Sequence, residues 1–302
     1  MSNFRPSYIR LYNEGKLWDR IERISSLIEN CTLCPHKCRI DRKNSKDGKC
    51  QSGELPIVAS YGPHYGEEPP LVGFYGSGTI FLTNCNLKCI FCQNYDISQM
   101  HSGTIISYQD LAEMMIELQL KGCHNINFVT PTHMVHTIVT ALPEAIEKGL
   151  RIPLVYNSGG YDAVETIQLL DGIFDIYMPD FKYFNNQTAY RLSGINNYVE
   201  EASKAIFEMH RQVGDLKMNN QGIAYRGLII RHLILPENQA DTFKVIHFIK
   251  TLSENTYLNL MNQYRPEFHA CNEPLINRRI NSEEFEEAIK YANKVGLKRI
   301  TV

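Results

Sequence analysis

Residues 79–94 read TIFLTNCNLKCIFCQN, and fold and chemistry meet in this one stretch. TIFLTN (79–84) is a short apolar and β-branched run, the pattern of a strand buried on both faces. It leads straight into Cys85, Cys89 and Cys92, a C-x3-C-x2-C arrangement closed within eight residues. Thiolates are soft ligands suited to iron–sulfur clusters, zinc and cuprous copper. Three thiols on one tight loop are an odd way to pack a core, and a structural zinc wants a fourth ligand. A loop of this length can wrap a compact four-iron cubane so that each sulfur meets one iron, leaving one iron open to a chelating substrate or cofactor. The loop is therefore expected to ligate a cluster.

Outward from this loop the chain keeps a regular rhythm. Strand-like runs recur at 126–129 (INFV), 153–157 (PLVYN), 174–178 (FDIYM), 227–235 (GLIIRHLIL) and 257–261 (YLNLM). Helical patterns occupy 108–121, 134–148, 162–171, 198–213, 239–254 and 283–295. Ser107 with Asp110 approximates a capping box, and Gly122 and Gly149 stand where helices stop. Ser282 precedes two glutamates of a first turn. Apolar strands alternating with helices predict an α/β fold with a helix-covered parallel sheet, either a full or partial barrel or an open doubly wound sheet. In each the ligand site lies at the carboxyl ends of the strands. Cys85, Thr130–Thr132, Asn157–Gly160 and Asp180–Lys182 all fall there.

Before residue 79 the chain divides in three. Residues 1–30 read as a helical segment through Leu17, Ile21, Ile24, Leu27 and Ile28. Residues 31–50 form a cysteine-rich module in which Cys31, Cys34, Cys38 and Cys50 are spaced C-x2-C-x3-C-x11-C. Four such thiols can enclose one zinc or a second, auxiliary cluster, and Lys37, Arg39, Arg42 and Lys43 would offset a doubly negative centre. Residues 51–78, rich in Gly and Pro, read as an irregular connection to the β/α core at 79–302. Cys123 and Cys271 are taken as ordinary core or loop residues.

Composition agrees with a globular chain: of 302 residues 43% are hydrophobic and 21% charged. A formal charge of -2 gives no electrostatic preference for DNA or for an anionic membrane. The opening segment lacks the apolar stretch of a signal peptide and no run is long enough to span a bilayer, so the cytoplasm is the expected location. Nine cysteines, an odd number of which seven fall in two clusters, favour metal binding over a disulfide framework.

The segments at 66–98 (GEEPPLVGFYGSGTIFLTNCNLKCIFCQNYDIS), 129–133 (VTPTH), 155–162 (VYNSGGYD), 176–183 (IYMPDFKY), 231–236 (RHLILP) and 260–266 (LMNQYRP) together resemble the radical SAM superfamily. The likeness covers nearly the whole chain and is strongest to the branch related to the activating enzyme of pyruvate formate-lyase. It implies a partial (β/α)6 TIM-like barrel preceded by the cysteine-rich module. It further implies a [4Fe-4S] cluster on Cys85, Cys89 and Cys92, with S-adenosyl-L-methionine chelating the fourth iron and Phe91 packing near the adenine. Reductive cleavage would yield a 5′-deoxyadenosyl radical that abstracts hydrogen from a substrate, either a glycine of a partner protein or a peptide or small molecule. A flavodoxin or ferredoxin would supply the electron.

Several positions carry two readings. Relatives end the second strand in a glycine–glycine–glutamate motif that meets the ammonium of S-adenosylmethionine. VTPTH departs from it, leaving Thr130 and Thr132 or backbone carbonyls to accept those bonds, while Thr132 equally suits the N-cap of the next helix. His133 is either a substrate-side acid or base or structural. Asn157 and Ser158 either hold the methionine or ribose part, or sit in a turn capped by Asp162. Asp180 and Lys182 resemble a D-x-K element facing the cofactor carboxylate, against a surface ion pair. Arg231, His232, Asn262, Gln263 and Tyr264 either line the cavity or brace the barrel, and Glu67 and Glu68 have no assigned ligand. The rival to an enzyme is a zinc-binding scaffold for protein or RNA contacts.

Overall fold

The computed structural model describes residues 4–302. Its strands are β1 (Ile57–His64), β2 (Ser77–Leu82), β3 (Thr104–Ile105), β4 (Ile126–Val129), β5 (Leu154–Asn157), β6 (Ile176–Tyr177), β7 (Lys217–Met218), β8 (Ala224–Leu233), β9 (Tyr257–Met261) and β10 (Arg299–Thr301). The helices are α1 (Ser7–Asn13), α2 (Lys16–Ser26), α3 (Pro69–Val72), α4 (Tyr95–Ser98), α5 (Tyr108–Leu120), α6 (Val135–Glu147), α7 (Val164–Leu169), α8 (Asn186–Ser193), α9 (Tyr198–Val213), α10 (Thr242–Leu252) and α11 (Ser282–Lys294).

Strand order decides between barrel and open sheet. Along the sheet the order is β10-β9-β8-β6-β5-β4-β2-β1-β3, and every neighbouring pair from β2 to β10 is parallel. From β2 to β10 spatial order follows chain order with no reversal, so the helices wind one way round. That is a singly wound partial (β/α)6 barrel and not a doubly wound sheet. The core strands lie within a residue or three of their expected positions.

Two apolar clusters follow from strands buried on both faces. The larger lies between sheet and helices and includes Phe128, Tyr156, Phe174 and Tyr177. The smaller gathers Val155, Ile176, Met178 and Ile229 inside the barrel, where Leu71 of α3 closes the floor. Alternation along β5 explains the split: Val155 points inward and Tyr156 outward.

Differences from the expected elements have local causes. The helical segment at 1–30 breaks at Gly15, whose φ of +71° lies outside the α region; residues 1–3 of that segment lie outside the described ones. Residues 51–78 are not irregular throughout, because β1 pairs antiparallel with β2. Its Gly62 and Pro63 disguise it. Pro63 is tolerated since β3 pairs β1 only at Ile57 and Val58, leaving the outer edge free beyond them. Helix α11 is capped by Asn281 in a capping box with Glu284, and Glu283 and Glu284 lie in its first turn. The box at Ser107 and Asp110 is present.

Candidate active site at the carboxyl ends of the strands

The loop after β2 carries Cys85, Cys89 and Cys92 to the carboxyl end of the barrel. All three thiols line one cavity of about 150 Å³ together with Thr130, Asn157, Ser158, Asp180, Lys182 and Arg231. Its walls are completed by Leu82, Leu87, Ile97 and Val129.

Each sulfur has a hydrogen-bond donor close by. The Leu87 N–H donates to Cys85 Sγ at 3.3 Å, and the Ser193 hydroxyl to Cys89 Sγ at 3.0 Å. Ser98 Oγ lies 3.2 Å from Cys92 Sγ. Such donors stabilise thiolates and tune a bound cluster. Burial pushes the Cys85 thiol up to about 12, with the neighbouring Cys89 adding to it and Lys182 opposing. Metal binding here must therefore release protons. Among the described residues no three His, Cys, Asp or Glu side chains are drawn together as the ligands of a single ion would be.

Opposite the thiols stands a buried charge network. Arg231 Nε donates to Asp180 Oδ1 at 2.8 Å, and Lys182 Nζ to Asp180 Oδ2 at 2.6 Å. Arg231 Nη2 donates to Asn157 Oδ1 at 2.6 Å. Burial works against the Asp180 carboxylate, but Arg231 and Lys182 outweigh it and hold its pKa below the usual value. Beneath Arg231 lie Glu67 and Glu68, each 3.9 Å from its guanidinium, and Asn259 Nδ2 donates to Glu68 Oε1 at 2.9 Å. Burial raises the Glu67 pKa, with Arg231 opposing. Arg231, left open by the sequence, is thus the hub of the site, and the two glutamates that had no role are its partners.

The backbone around the network is tightly constrained. Gly160 has φ +79°, and a Cβ there would sit 2.1 Å from the Asp180 carbonyl oxygen. Thr130 has φ +58°, an outlier for a β-branched residue. Its N–H donates to the Asn157 carbonyl at 2.8 Å, binding the ends of β4 and β5 together. Strain of this kind persists only where surrounding structure over-determines it.

Other expected residues lie elsewhere. Thr132 is not a helix cap, since Met134 takes that position before α6. Its hydroxyl instead donates to Asp162 Oδ1 at 2.6 Å. Asp162 also accepts from Tyr156 and Ser158, at 2.8 and 2.6 Å, and Ala163, not Asp162, precedes α7. Phe91 packs edge-on against Tyr183 and Tyr264 and is not among the cavity-lining residues. His133 donates from Nε2 to the Thr83 carbonyl at 2.8 Å, and burial drops its pKa to about 3. It is neutral and structural. His232 bonds Phe181 O and Thr242 Oγ1, and burial lowers it to about 4. Tyr264 donates to Ile276 O, and Gln263 is exposed with its carbonyl taken by Gln93. Cys123 is buried and Cys271 exposed. An aromatic groove of about 330 Å³ between Phe184, Phe243, Phe248 and Tyr291 lies on the helical exterior and includes none of the thiols.

The three-thiol loop thus follows the first parallel strand of a partial β/α barrel and shares its cavity with Lys182 and Arg231 from the other strand ends. The chain belongs to the Radical SAM superfamily, whose sequence profile matches residues 79–249. It is 36% identical over 289 residues to the uncharacterised protein MJ0674 of Methanocaldococcus jannaschii, covering 92% of this chain and 78% of that one. A second protein of that organism, MJ0808, also uncharacterised, is 24% identical over 93% of this chain and 83% of its own. The crystal structure of the [FeFe]-hydrogenase maturase HydG from Carboxydothermus hydrogenoformans matches in fold, with TM-score 0.51 and 12% identity. That match covers 72% of this chain and 51% of HydG, so the chain spans about half of that protein's length. Membership of the superfamily brings a [4Fe-4S] cluster and the reductive cleavage of S-adenosylmethionine, with an electron donor. Among the described residues no helix is long and apolar enough to cross a membrane.

Proposed function

We propose that Cys85, Cys89 and Cys92 hold the [4Fe-4S] cluster and that S-adenosylmethionine occupies the cavity they share with Thr130, Asn157, Ser158, Asp180 and Lys182. The shared cavity carries this reading: thiols, a hydroxyl, an amide and an ammonium all open into one space of about 150 Å³. When bound, the cluster supplies one electron to the sulfonium, which cleaves to methionine and a 5′-deoxyadenosyl radical.

The chain's own groups then bind and shield. Lys182 Nζ spends one of its three donors on Asp180 and keeps two for a carboxylate. Asn157 Oδ1 is taken by Arg231, which turns the amide Nδ2 into the free donor. The Thr130 hydroxyl has no protein partner among the described residues and can accept from an ammonium. Thr132 acts only through Asp162, as a brace for the β4 and β5 ends. Leu82, Leu87, Ile97 and Val129 shield a reactive species from water.

The finer assignment rests on likeness to activating enzymes in the segments 66–98 and 176–183. The hydrogen donor is read as a glycine of a protein or peptide, the reductant as a flavodoxin or ferredoxin, and the location as the cytoplasm. A zinc scaffold is disfavoured, because it needs no free amide, hydroxyl and ammonium beside its thiols. The test is anaerobic reconstitution followed by dithionite and S-adenosylmethionine. Deoxyadenosine from the wild type and none from Cys89→Ala supports the proposal; equal product from both contradicts it. Transfer of deuterium from a glycine-labelled peptide into deoxyadenosine tests the finer step, and unlabelled product rejects it.

A further inference from the structure

The middle of the thiol loop is gripped by the last turn of α8. Lys88 N–H donates to the Ser193 carbonyl at 3.3 Å, and Ile90 N–H to the Leu192 carbonyl at 2.9 Å. These two bonds straddle Cys89. Between them the Ser193 hydroxyl, on a side chain 1% exposed, donates to Cys89 Sγ at 3.0 Å. Gly194, with φ +71° in the left-handed region, ends the helix directly after Ser193 and so fixes where that hydroxyl stands. Burial raises the Cys89 thiol, and Lys182 and the Ser193 hydroxyl both oppose it.

Behind Ser193 stands a second hydroxyl. Tyr183 Oη lies 2.6 Å from Ser193 Oγ, and its ring is fully buried, edge-on to Phe91 and to Tyr198. The direction of this bond follows from the first. A ligating thiolate only accepts, so the single hydroxyl hydrogen of Ser193 is committed to Cys89, and Tyr183 has to be the donor. Burial raises the Tyr183 pKa, with Cys89 adding to it, so the phenol keeps its proton. Two hydroxyls therefore point one way, from Tyr183 through Ser193 to one sulfur. Cys85, by contrast, receives a backbone amide, which a residue of any type but proline would supply. Lys182 and Tyr183, neighbours in sequence, divide the work: the first lines the cavity, and the second reaches the loop through α8.

We propose that Ser193, held in place by Tyr183 as a positioning residue, raises the reduction potential of the cluster by stabilising negative charge on Cys89 Sγ. The inference rests on the reading that Cys89 is a cluster ligand. Reduction adds one electron, and part of the added charge falls on the sulfur ligands. A donor aimed at that sulfur stabilises the reduced form more than the oxidised one, which moves the potential upward. Hydroxyls aligned in a chain polarise one another, the more so in a buried site, so Tyr183 strengthens the Ser193 bond without touching the sulfur's ligand sphere.

The test is an EPR-monitored redox titration of the reconstituted full chain, following the reduced-cluster signal that Cys89→Ala removes. That choice excludes any metal held by Cys31, Cys34, Cys38 and Cys50, four free thiols of which all but Cys38 are buried. Ser193→Ala, at unchanged iron content, should shift the midpoint to a more negative potential, and Ser193→Thr, which keeps the hydroxyl, should bring it back. Tyr183→Phe should shift it the same way by less. Added to Ser193→Ala, Tyr183→Phe should shift nothing further, because it acts through Ser193. A merely structural role would cost iron or stability and leave the midpoint of the remaining cluster where it was.

An unchanged midpoint in Ser193→Ala overturns the proposal. Equal shifts from Tyr183→Phe with and without Ser193 remove Tyr183 from it. If Ser193→Ala takes up no iron, Tyr183→Phe decides, and an unshifted midpoint there overturns the proposal. A signal that survives Cys89→Ala rejects the ligand reading and this inference with it, whereas a Cys89-dependent signal with an unshifted midpoint rejects this inference alone.

Discussion

Arg231 Nε lies 2.8 Å from Asp180 Oδ1, joining residues that are 51 positions apart in sequence. The contact is reinforced by backbone bonds, Phe181 N–H to Arg231 O at 2.8 Å and Arg231 N–H to Pro179 O at 3.0 Å. The same guanidinium faces Glu67 and Glu68 below. One cation therefore balances carboxylates from the barrel floor and from the reaction chamber.

Arg231→Met should consequently unfold more easily than a simple truncation suggests. It leaves three buried carboxylates, with Lys182 on Asp180, His64 beside Glu67 and the Asn259 amide on Glu68 as their remaining partners, a loss of roughly 3–5 kcal/mol. Urea titration measures it. Adding Asp180→Asn to Arg231→Met should return part of the loss, because the two groups are coupled. Strict additivity of the two variants would show that the pair is not a unit.

Lys182→Met should leave the cluster thiols intact and weaken S-adenosylmethionine binding. A charge-assisted bond worth roughly 1.5–3 kcal/mol corresponds to an approximately 10–100-fold rise in Kd. Equilibrium dialysis under anaerobic conditions reads the affinity and iron analysis the cluster. A large fall in iron with unchanged affinity would reverse the assignment.

Gly160→Ala has nowhere to go. Its φ of +79° and the Asp180 carbonyl 2.1 Å from the new carbon force the β5 and β6 ends apart. The loss should exceed about 2 kcal/mol and be clearly larger than that of a Gly149→Ala control at the end of α6, where the space is open and only the φ of +101° costs about 1 kcal/mol. Equal effects would mean that the contact with Asp180 carries no cost.

Stability should fall as pH drops below about 6.5. Burial lowers His133 to about 3 and His232 to about 4 from 6.5, and lowers His136 well below that value. The unfolded chain takes up these protons near pH 6.5 and the folded one does not, so stability is complete above that pH and lost on the way down. Asp175, pushed up to about 6 by burial, acts in the opposite sense between about pH 4 and 6; three imidazoles outweigh it. Urea midpoints at pH 7.5, 6 and 5 should decline, and less steeply in His232→Gln. Parallel slopes in the two proteins would count against the buried neutral histidine.

Much of the barrel was legible because periodicity is local. The runs at 126–129 and 257–261 and the helix at 198–213 are where the apolar pattern put them. The site was legible only in part. Cys85, Cys89 and Cys92 announce themselves by spacing, and Asn157, Asp180 and Lys182 by lying at strand ends. Arg231's partners come from positions 67, 68, 157 and 180, and no local pattern pairs them. Thr132 suited a cofactor contact and a helix cap equally, since a Thr before a helix often caps it; a buried carboxylate 30 residues on claimed its hydroxyl instead. Strand β1 was hidden by Gly62 and Pro63, which an edge position tolerates.

The most direct measurement is the EPR spectrum of the dithionite-reduced protein before and after S-adenosylmethionine is added. The proposed ligation by three thiolates would leave one iron open, so the cofactor should bind to it and change the cluster's g-values in the wild type. An identical spectrum with and without the cofactor, in protein whose three-thiol cluster is intact and reduced, would contradict the account.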